Sequence, residues 1–401
     1  MSFASEFNSL AVAELSAFAQ NATAGDVEAA LARSGRQRTS PSDFAALISP
    51  RAAQPQYLEA IAQRAHELTI KHFGRVIRFF VPLYLSNECI NICKYCGFSR
   101  DNPILRVTLT LEQVVTEARY LRDQGFRHIL LVAGEHPHFV SDDYLRDCVA
   151  RLHREWPSIS LEVGPLEVEQ YRPIVQAGAE GLVVYQETYD RGIYDALHVS
   201  GPKKDFEWRL ETPERAYAAG FKRLGIGALL GLGPWRNEAV ALAAHTAHLL
   251  RKCWMSQLTI SVPRMRPAAG GFKPAVNVSD HELVQFVCAL RLTFPEVGIV
   301  LSTRESPKLR DNLIPLGITL MSAGSHTEPG GYTGQGREKL HVTKGGRFVK
   351  PPMPVIESEG EHATVQFEIA DNRTPAEVAV RLEEMGYETV WKDWEGALNG
   401  V

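Results

Sequence analysis

The sequence predicts an α/β protein built around a closed (β/α)8 barrel, and three observations lead there. Strand-like and helix-like stretches alternate through most of the 401-residue chain, and repeated β-then-α order means parallel strands with helices outside them. About eight strands can be counted, which suits a closed barrel better than an open doubly wound sheet. No GxGxxG loop follows the first strand, which weakens a dinucleotide fold.

Residues 1–74 read as a helical extension. Stretches 26–32 and 57–68 carry apolar residues at helical spacing, and Pro41, Pro50 and Pro55 punctuate the gaps. The barrel is expected over 75–333. Val76-Ile-Arg-Phe-Phe-Val81 is β-branched and aromatic, hence a strand, and a cysteine loop follows it directly. Thr110 and Gln113 form a capping box that opens a helix running to Gly125. Strands are then expected at 128–133, 159–163, 181–186, 224–230, 258–262, 298–302 and 318–322. Helices are expected between them at 144–155, 168–177, 213–219, 238–253, 281–292 and 308–313. Residues 334–360, rich in Gly, Pro and charge, predict a surface excursion. In the C-terminal extension, 334–401, a helix at 374–385 precedes an aromatic segment with Trp391 and Trp394 that docks on the barrel.

Composition is that of an ordinary globular chain, 45% hydrophobic and 22% charged. A formal net charge of −4 gives no support for a nucleic-acid or membrane-surface binder. The N-terminus lacks the basic and apolar regions of a secretory signal, and no apolar run approaches the roughly 20 residues of a membrane span. A cytoplasmic protein is expected, so the cysteines do not suggest a disulfide framework. Cys148, Cys253 and Cys288 lie far apart in helix-like apolar sequence and read as core thiols.

The other three are crowded in Cys89-Ile-Asn-Ile-Cys93-Lys-Tyr-Cys96. Thiolates spaced C-x3-C-x2-C on one loop can hold three corners of a cubane 4Fe–4S cluster, whereas ordinary electron carriers use four cysteines. With no fourth cysteine nearby, one iron is left open for a small molecule. Structural zinc sites have four ligands, often from two C-x2-C pairs, and no second pair exists here. In a (β/α)8 barrel the loop after the first strand lies at the catalytic face.

This spacing, with Tyr95 before the last cysteine, resembles the signature of the radical S-adenosylmethionine (SAM) superfamily. Phe80-Val-Pro-Leu-Tyr-Leu-Ser-Asn87, Tyr95-Cys-Gly-Phe-Ser99, Tyr185-Gln-Glu-Thr-Tyr189, Arg209-Leu-Glu-Thr-Pro213 and Leu301-Ser-Thr-Arg-Glu-Ser-Pro307 are similar to the tyrosine lyases of thiamine biosynthesis, the 2-iminoacetate synthases. The likeness runs over about residues 60–394. It implies one 4Fe–4S cluster and SAM as cofactors, with 5′-deoxyadenosine and methionine as their products. It further implies hydrogen removal from the amino group of L-tyrosine and cleavage of its Cα–Cβ bond to 2-iminoacetate (dehydroglycine) and p-cresol. The imine would enter the thiazole ring of thiamine. A flavodoxin or ferredoxin-type reductant and the thiazole synthase subunit ThiG are the implied protein partners.

The resemblance also implies site residues. Cys89, Cys93 and Cys96 would ligate the cluster, with Tyr95 beside the cofactor. Ala133-Gly134-Glu135, ending the second strand, occupies the place of a GGE motif that binds the methionyl ammonium of SAM. Glu187, with Gln186 and Asp190, follows the fourth strand, where ribose contacts are expected. Arg209 stands where related enzymes hold the SAM carboxylate, a surface ion pair with Glu207 or Glu211 being the bland alternative. The backbone around Gly225 and Gly227 would approach the adenine, unless those glycines serve tight packing. Arg304, ending the seventh strand, is the expected partner of the substrate carboxylate, with Ser322 adding a hydrogen bond. Tyr84 would lie near the substrate amine, or simply fill the barrel. His136 and His138 read as loop or pocket lining; Arg264 and Arg266 could serve substrate, SAM or a partner protein.

Three rivals stand beside this reading. A hydrogenase-maturation tyrosine lyase carries a second cluster on a cysteine-bearing C-terminal domain, and no cysteine follows Cys288. A tryptophan lyase giving 3-methyl-2-indolic acid shares positions like Tyr84 and Arg304. A one-cluster electron carrier or structural metal protein would not use SAM.

Overall fold

A computed structural model describes residues 2–35, 39–349 and 362–391. Eight parallel strands close into the expected barrel: β1 (Val76–Ser86), β2 (His128–Ala133), β3 (Ser158–Glu162), β4 (Gly181–Val183), β5 (Arg223–Gly227), β6 (Gln257–Ser261), β7 (Gly298–Leu301) and β8 (Leu320–Ser322). Closure is made by β1, which pairs β8 through Phe80↔Ser322 on one side and β2 through Val81↔Ile129 to Ser86↔Ala133 on the other.

Strand alternation divides the apolar residues between two cores. Phe80, Tyr84, Leu130, Val132 and Leu320 point to the barrel axis. Ile77, Phe79, Val81, Leu83, Ile129 and Leu131 point out beneath the helices. Both faces of the strands are therefore covered, which is why they read as near-continuous hydrophobic runs. A cavity of about 60 Å³ remains along the axis, lined by Phe80, Leu130, Ser160, Val183, Tyr185 and Val300 among others.

The outer helices begin where side chains satisfy free backbone N–H groups. Capping boxes at Thr110/Gln113, Ser279/Glu282 and Thr374/Glu377 open helices Leu111–Asp123, Asp280–Thr293 and Pro375–Glu384. The N-terminal helices pack outside this layer. Gln285 donates to the Leu47 and Ser49 carbonyls, and Phe3 stacks on His245 with ring centroids 4.2 Å apart. Cys148, Cys253 and Cys288 are free and buried, and burial pushes each thiol up to about 12. No helix among the described residues is long and apolar enough to cross a membrane.

Three strand pairings were not legible in the sequence, although the excursion and the docking of the tail were. The excursion at 334–360 contains a hairpin, His341–Lys344 with Arg347–Val349, whose Gly345-Gly346 turn has φ of 57° and 73°. It pairs with Ile104–Arg106 to make a small antiparallel sheet over the cysteine loop; residues 350–361 lie outside the described residues. Between β4 and β5, helices Arg191–Leu197 and Phe206–Leu210 flank a strand, His198–Ser200, that pairs with Ile92–Cys93. The tail contributes β9 (Glu388–Val390), which pairs in parallel with the start of β1, and Trp391 sets its edge against Phe79 and Phe126 at 5.0 and 5.2 Å. Trp394 lies outside the described residues.

Candidate active site

The cysteine loop leaves the C-terminal end of β1 and is held by polar contacts together with the packing of Tyr95 and Phe98. Asn87 accepts from the Val107 N–H at 2.8 Å and donates to the Leu105 carbonyl at 2.8 Å. The buried Arg106 guanidinium is wrapped by the loop, donating to the carbonyls of Asn87, Phe98 and Ser99 at 2.6, 3.1 and 2.8 Å. Asn91 donates to Glu135 at 2.7 Å and accepts from the Lys203 N–H at 2.9 Å. These bonds satisfy the Asn87, Asn91 and Arg106 side chains inside the loop and tie it to β1, β2 and the segment after β4.

The donor set can be tested against a cluster. Cys89, Cys93 and Cys96 lie in one another's field, and burial pushes the Cys89 and Cys93 thiols up while Lys203 pulls Cys93 back down. Among the described residues no three His, Cys, Asp or Glu side chains converge as a single metal ion requires. A cubane takes one thiolate at each of three separate iron corners, which three cysteines of one loop can supply. Backbone packing around the loop is close: a Cβ on Gly134 would lie 2.2 Å from the Glu88 carbonyl oxygen, and one on Gly97 2.3 Å from that of Gln366. The residues present fit a 4Fe–4S cluster with an open iron.

Beside the loop, Gly134 donates to the Ser86 carbonyl and Glu135 carries its carboxylate to Asn91. A cavity of about 250 Å³ opens there, lined by Ile90, Gly134, Glu135, His136, Gly164 and Pro202 among others. Ala133 aligns with Ser86 at the end of β2. Tyr95 is buried, its hydroxyl 2.8 Å from His198 Nε2. His136 and His138 stay on the loop, the His136 ring packed on Phe139 at 4.7 Å.

Glu187 is the one non-glycine residue at positive φ among the described residues, 71°. Such strain persists where surroundings over-determine it, and here Lys203 Nζ lies 2.7 Å and Arg209 Nη2 3.6 Å from its carboxylate. The two cations hold the Glu187 carboxyl below its ordinary value despite burial. Arg209 is buried and donates from Nε to the Tyr185 carbonyl at 2.7 Å. The surface ion pair is therefore excluded: Glu207 pairs with Arg191 instead.

The remaining expected residues have protein partners of their own. Asp190 is exposed and caps helix Arg191–Leu197, one carboxylate oxygen accepting from the Ile193 N–H at 2.9 Å. Gln186 falls on the opposite strand face from Tyr185 and Glu187 and donates to the Phe206 carbonyl. At Gly225 and Gly227 the strands pack closely: a Cβ would lie 2.8 Å from Val183 at the first and 2.1 Å from the Ser261 carbonyl at the second.

Across the mouth stand Tyr84, Arg304 and Ser322. Ser322 is buried at the end of β8, in register with inward-facing Phe80. Arg304 makes no ion pair with a carboxylate among the described residues; its guanidinium carbon lies over the Phe367 ring, 3.4 Å from the centroid. Tyr84 is buried and donates to Gln366 Oε1 at 2.7 Å.

Phe367 and Gln366 belong to a segment, 363–371, of the C-terminal extension. It crosses the mouth by backbone bonds to Leu105, Thr327, Pro267 and Thr303. It is anchored by Asp371, which pairs with fully buried Arg310 and with Arg373. Only the polar run Asp371-Asn-Arg373 beside a capping box hinted at it. Glu162, at the end of β3, was also missed; no motif surrounds it. Of the paired arginines, Arg264 is neutralised by Glu305 and by Asp280 at 2.8 Å. Arg266 keeps a buried Nε without a partner.

Comparison with known proteins agrees with this architecture. Residues 83–243 match the radical SAM superfamily, and residues 261–388 match the biotin and thiamin synthesis associated domain. The chain is 43% identical over 377 residues to 2-iminoacetate synthase of Escherichia coli K12, covering 94% of this chain and 92% of that protein. The enzyme of the same name from Salmonella typhimurium LT2 gives the same identity and coverage. Among solved structures, HydG, a maturase of the [FeFe]-hydrogenase, superposes with a TM-score of 0.86 at 30% identity, covering 97% of this chain and 81% of that one.

Proposed function

The chain belongs to the 2-iminoacetate synthase family of the radical SAM superfamily, and from that premise we propose that it cleaves the Cα–Cβ bond of L-tyrosine to 2-iminoacetate and p-cresol. The observation that carries the substrate side is Arg304, a guanidinium with no carboxylate partner among the described residues, placed over the Phe367 ring near Tyr84. A planar fork of this kind receives a carboxylate through two parallel hydrogen bonds.

Bound 4Fe–4S cluster and SAM supply the 5′-deoxyadenosyl radical, and the hard chemistry is theirs. Cys89, Cys93 and Cys96 are the residues that would hold the cluster. Glu135, with the backbone of Ala133 and Gly134, would receive the methionyl ammonium of SAM, and Arg209 its carboxylate. Glu187, strained and doubly paired, is assigned to the ribose hydroxyls; Tyr95 packs beside it.

On the substrate side the protein binds, orients and excludes water. Arg304 and Ser322 fix the tyrosine carboxylate, and Tyr84 stands on the amine side of the pocket. Segment 363–371 roofs the mouth through Gln366 and Phe367, keeping water from the reactive fragments. A fixed approach of the amino group to the radical source is worth more than any single contact, because it replaces a bimolecular encounter.

A flavodoxin or ferredoxin-type protein is the proposed electron donor, and the cytoplasm the proposed compartment. The imine hydrolyses in water, which favours its direct handover to a thiazole synthase subunit. The test is competition: reconstituted protein with reductant and SAM is given equal L-tyrosine and L-tryptophan. p-Cresol with glyoxylate is expected; 3-methyl-2-indolic acid as main product overturns the assignment.

A further inference from the structure

Glu162 takes no part in the roles above. On β3 the residues Ser158, Ser160 and Glu162 share one face, and Ser160 lines the axial cavity, so Glu162 points inward one step nearer the mouth. No hydrogen bond or ion pair engages its carboxyl among the described residues; it meets only the fields of its neighbours. Those are Glu187 and Tyr185 after β4, Arg209 and Lys203 beyond them, Tyr84 on β1 and Arg304 after β7.

The ring order makes the arrangement specific. β3 and β7 are four places apart in an eight-strand barrel, so Glu162 and Arg304 face each other across the mouth. They lie in each other's field without forming an ion pair. A lone cation opposite a lone carboxylate, with a gap between them, matches a ligand bearing both opposite charges a few bonds apart. An α-amino acid zwitterion is such a ligand.

We propose that Glu162 is the residue that receives the α-ammonium group of the amino-acid substrate and takes one proton from it. The step is R–NH3+ with Glu162–COO− giving R–NH2 with Glu162–COOH; no electron moves, and the proton returns to solvent when product leaves. Its use is chemical. Removing a hydrogen atom from an ammonium leaves a nitrogen radical still carrying positive charge without a lone pair, whereas a neutral amine yields a stabilised aminyl. Proton transfer is efficient when the acceptor lies near the working pH. Burial and Glu187 push the Glu162 carboxyl up to about 7, closer to an ammonium than an ordinary carboxylate.

This inference rests on the amino-acid lyase reading, so the test separates the two. Holoenzyme and its Glu162→Gln and Arg304→Ala variants are titrated with L-tyrosine, tyramine (no carboxylate) and 3-(4-hydroxyphenyl)propanoate (no amine). Glu162→Gln should weaken tyramine about ten-fold and leave the propanoate within about two-fold. Arg304→Ala should do the reverse. Turnover of tyrosine should fall about 100-fold in Glu162→Gln, and the rise of kcat with pH near neutrality should vanish. Glu162→Asp, which keeps the carboxylate, should retain that rise with a reduced kcat, guarding against a variant that only fails to fold. Equal weakening of tyramine and propanoate, or an unchanged pH profile in Glu162→Gln, overturns the proposal. Absence of p-cresol with the unaltered protein would sink the lyase reading alone, because the binding pattern still reports on Glu162.

Discussion

Replacing Arg304 by Ala is the most quantitative test of the substrate pocket. Its guanidinium lies inside the mouth, over Phe367 at 3.4 Å, with Glu162, Glu187, Tyr84 and Tyr185 contributing to its field. A carboxylate about 4 Å from this cation gains about 4 kcal/mol at an effective dielectric of about 20. Part of that is lost to stripping water from the carboxylate. Removing Arg304 also leaves Glu162 and Glu187 without one of their cations, so an incoming carboxylate meets net negative charge. A net loss of about 3 kcal/mol follows, within the range for truncating one partner of a buried pair. That corresponds to about two orders of magnitude in affinity. Arg304→Lys keeps the charge but loses the planar fork and the stack on Phe367, and should cost about ten-fold. The assay is p-cresol formation against tyrosine concentration under anaerobic conditions, with tyramine as a competitor. KM for tyrosine should rise steeply while the inhibition constant of tyramine stays put. An unchanged KM, or equal loss for tyrosine and tyramine, refutes the assignment of Arg304 to the carboxylate.

Further outcomes follow from the buried ion pairs. Lys203→Met leaves Glu187 with Arg209 at 3.6 Å as its remaining close cation, and should cost about 2 kcal/mol, visible in thermal unfolding. Because the Glu187 carboxyl is held low, the stabilisation is present above the ordinary carboxylate range and lost as pH falls through the lowered value. The difference between Lys203→Met and the parent should therefore shrink in acid. Asp371→Ala strips buried Arg310 of its partner, should cost about 3–5 kcal/mol, and should speed hydrogen exchange in 363–371; unaltered exchange would remove Asp371 as the anchor. His341 pairs with Glu88 at 2.6 Å and is held above its ordinary value by that carboxylate. That contact stabilises fully below the ordinary histidine range and is lost as pH rises through the raised value. Exchange at 341–349, corrected for intrinsic rates, should increase across that rise, and a flat profile would contradict it.

The barrel was readable because its strands are short apolar runs between capped helices, each set by local chemistry such as the Thr110/Gln113 box. The cysteine loop was readable because ligand spacing on one loop is a local property. What escaped depends on distant pairing. Gln366 reaches Tyr84 across 282 positions, and nothing in Val365-Gln-Phe367 signals that this segment crosses the mouth. Glu162 looks like an ordinary strand-end residue until the ring order sets it opposite Arg304.

Stoichiometry of turnover tests the central claim most directly. Anaerobically reconstituted protein with SAM, reductant and L-tyrosine should give 5′-deoxyadenosine, p-cresol and glyoxylate in near-equal amounts, and Cys93→Ala should give none of them. Deoxyadenosine formed without p-cresol, or p-cresol retained in Cys93→Ala, would contradict the account.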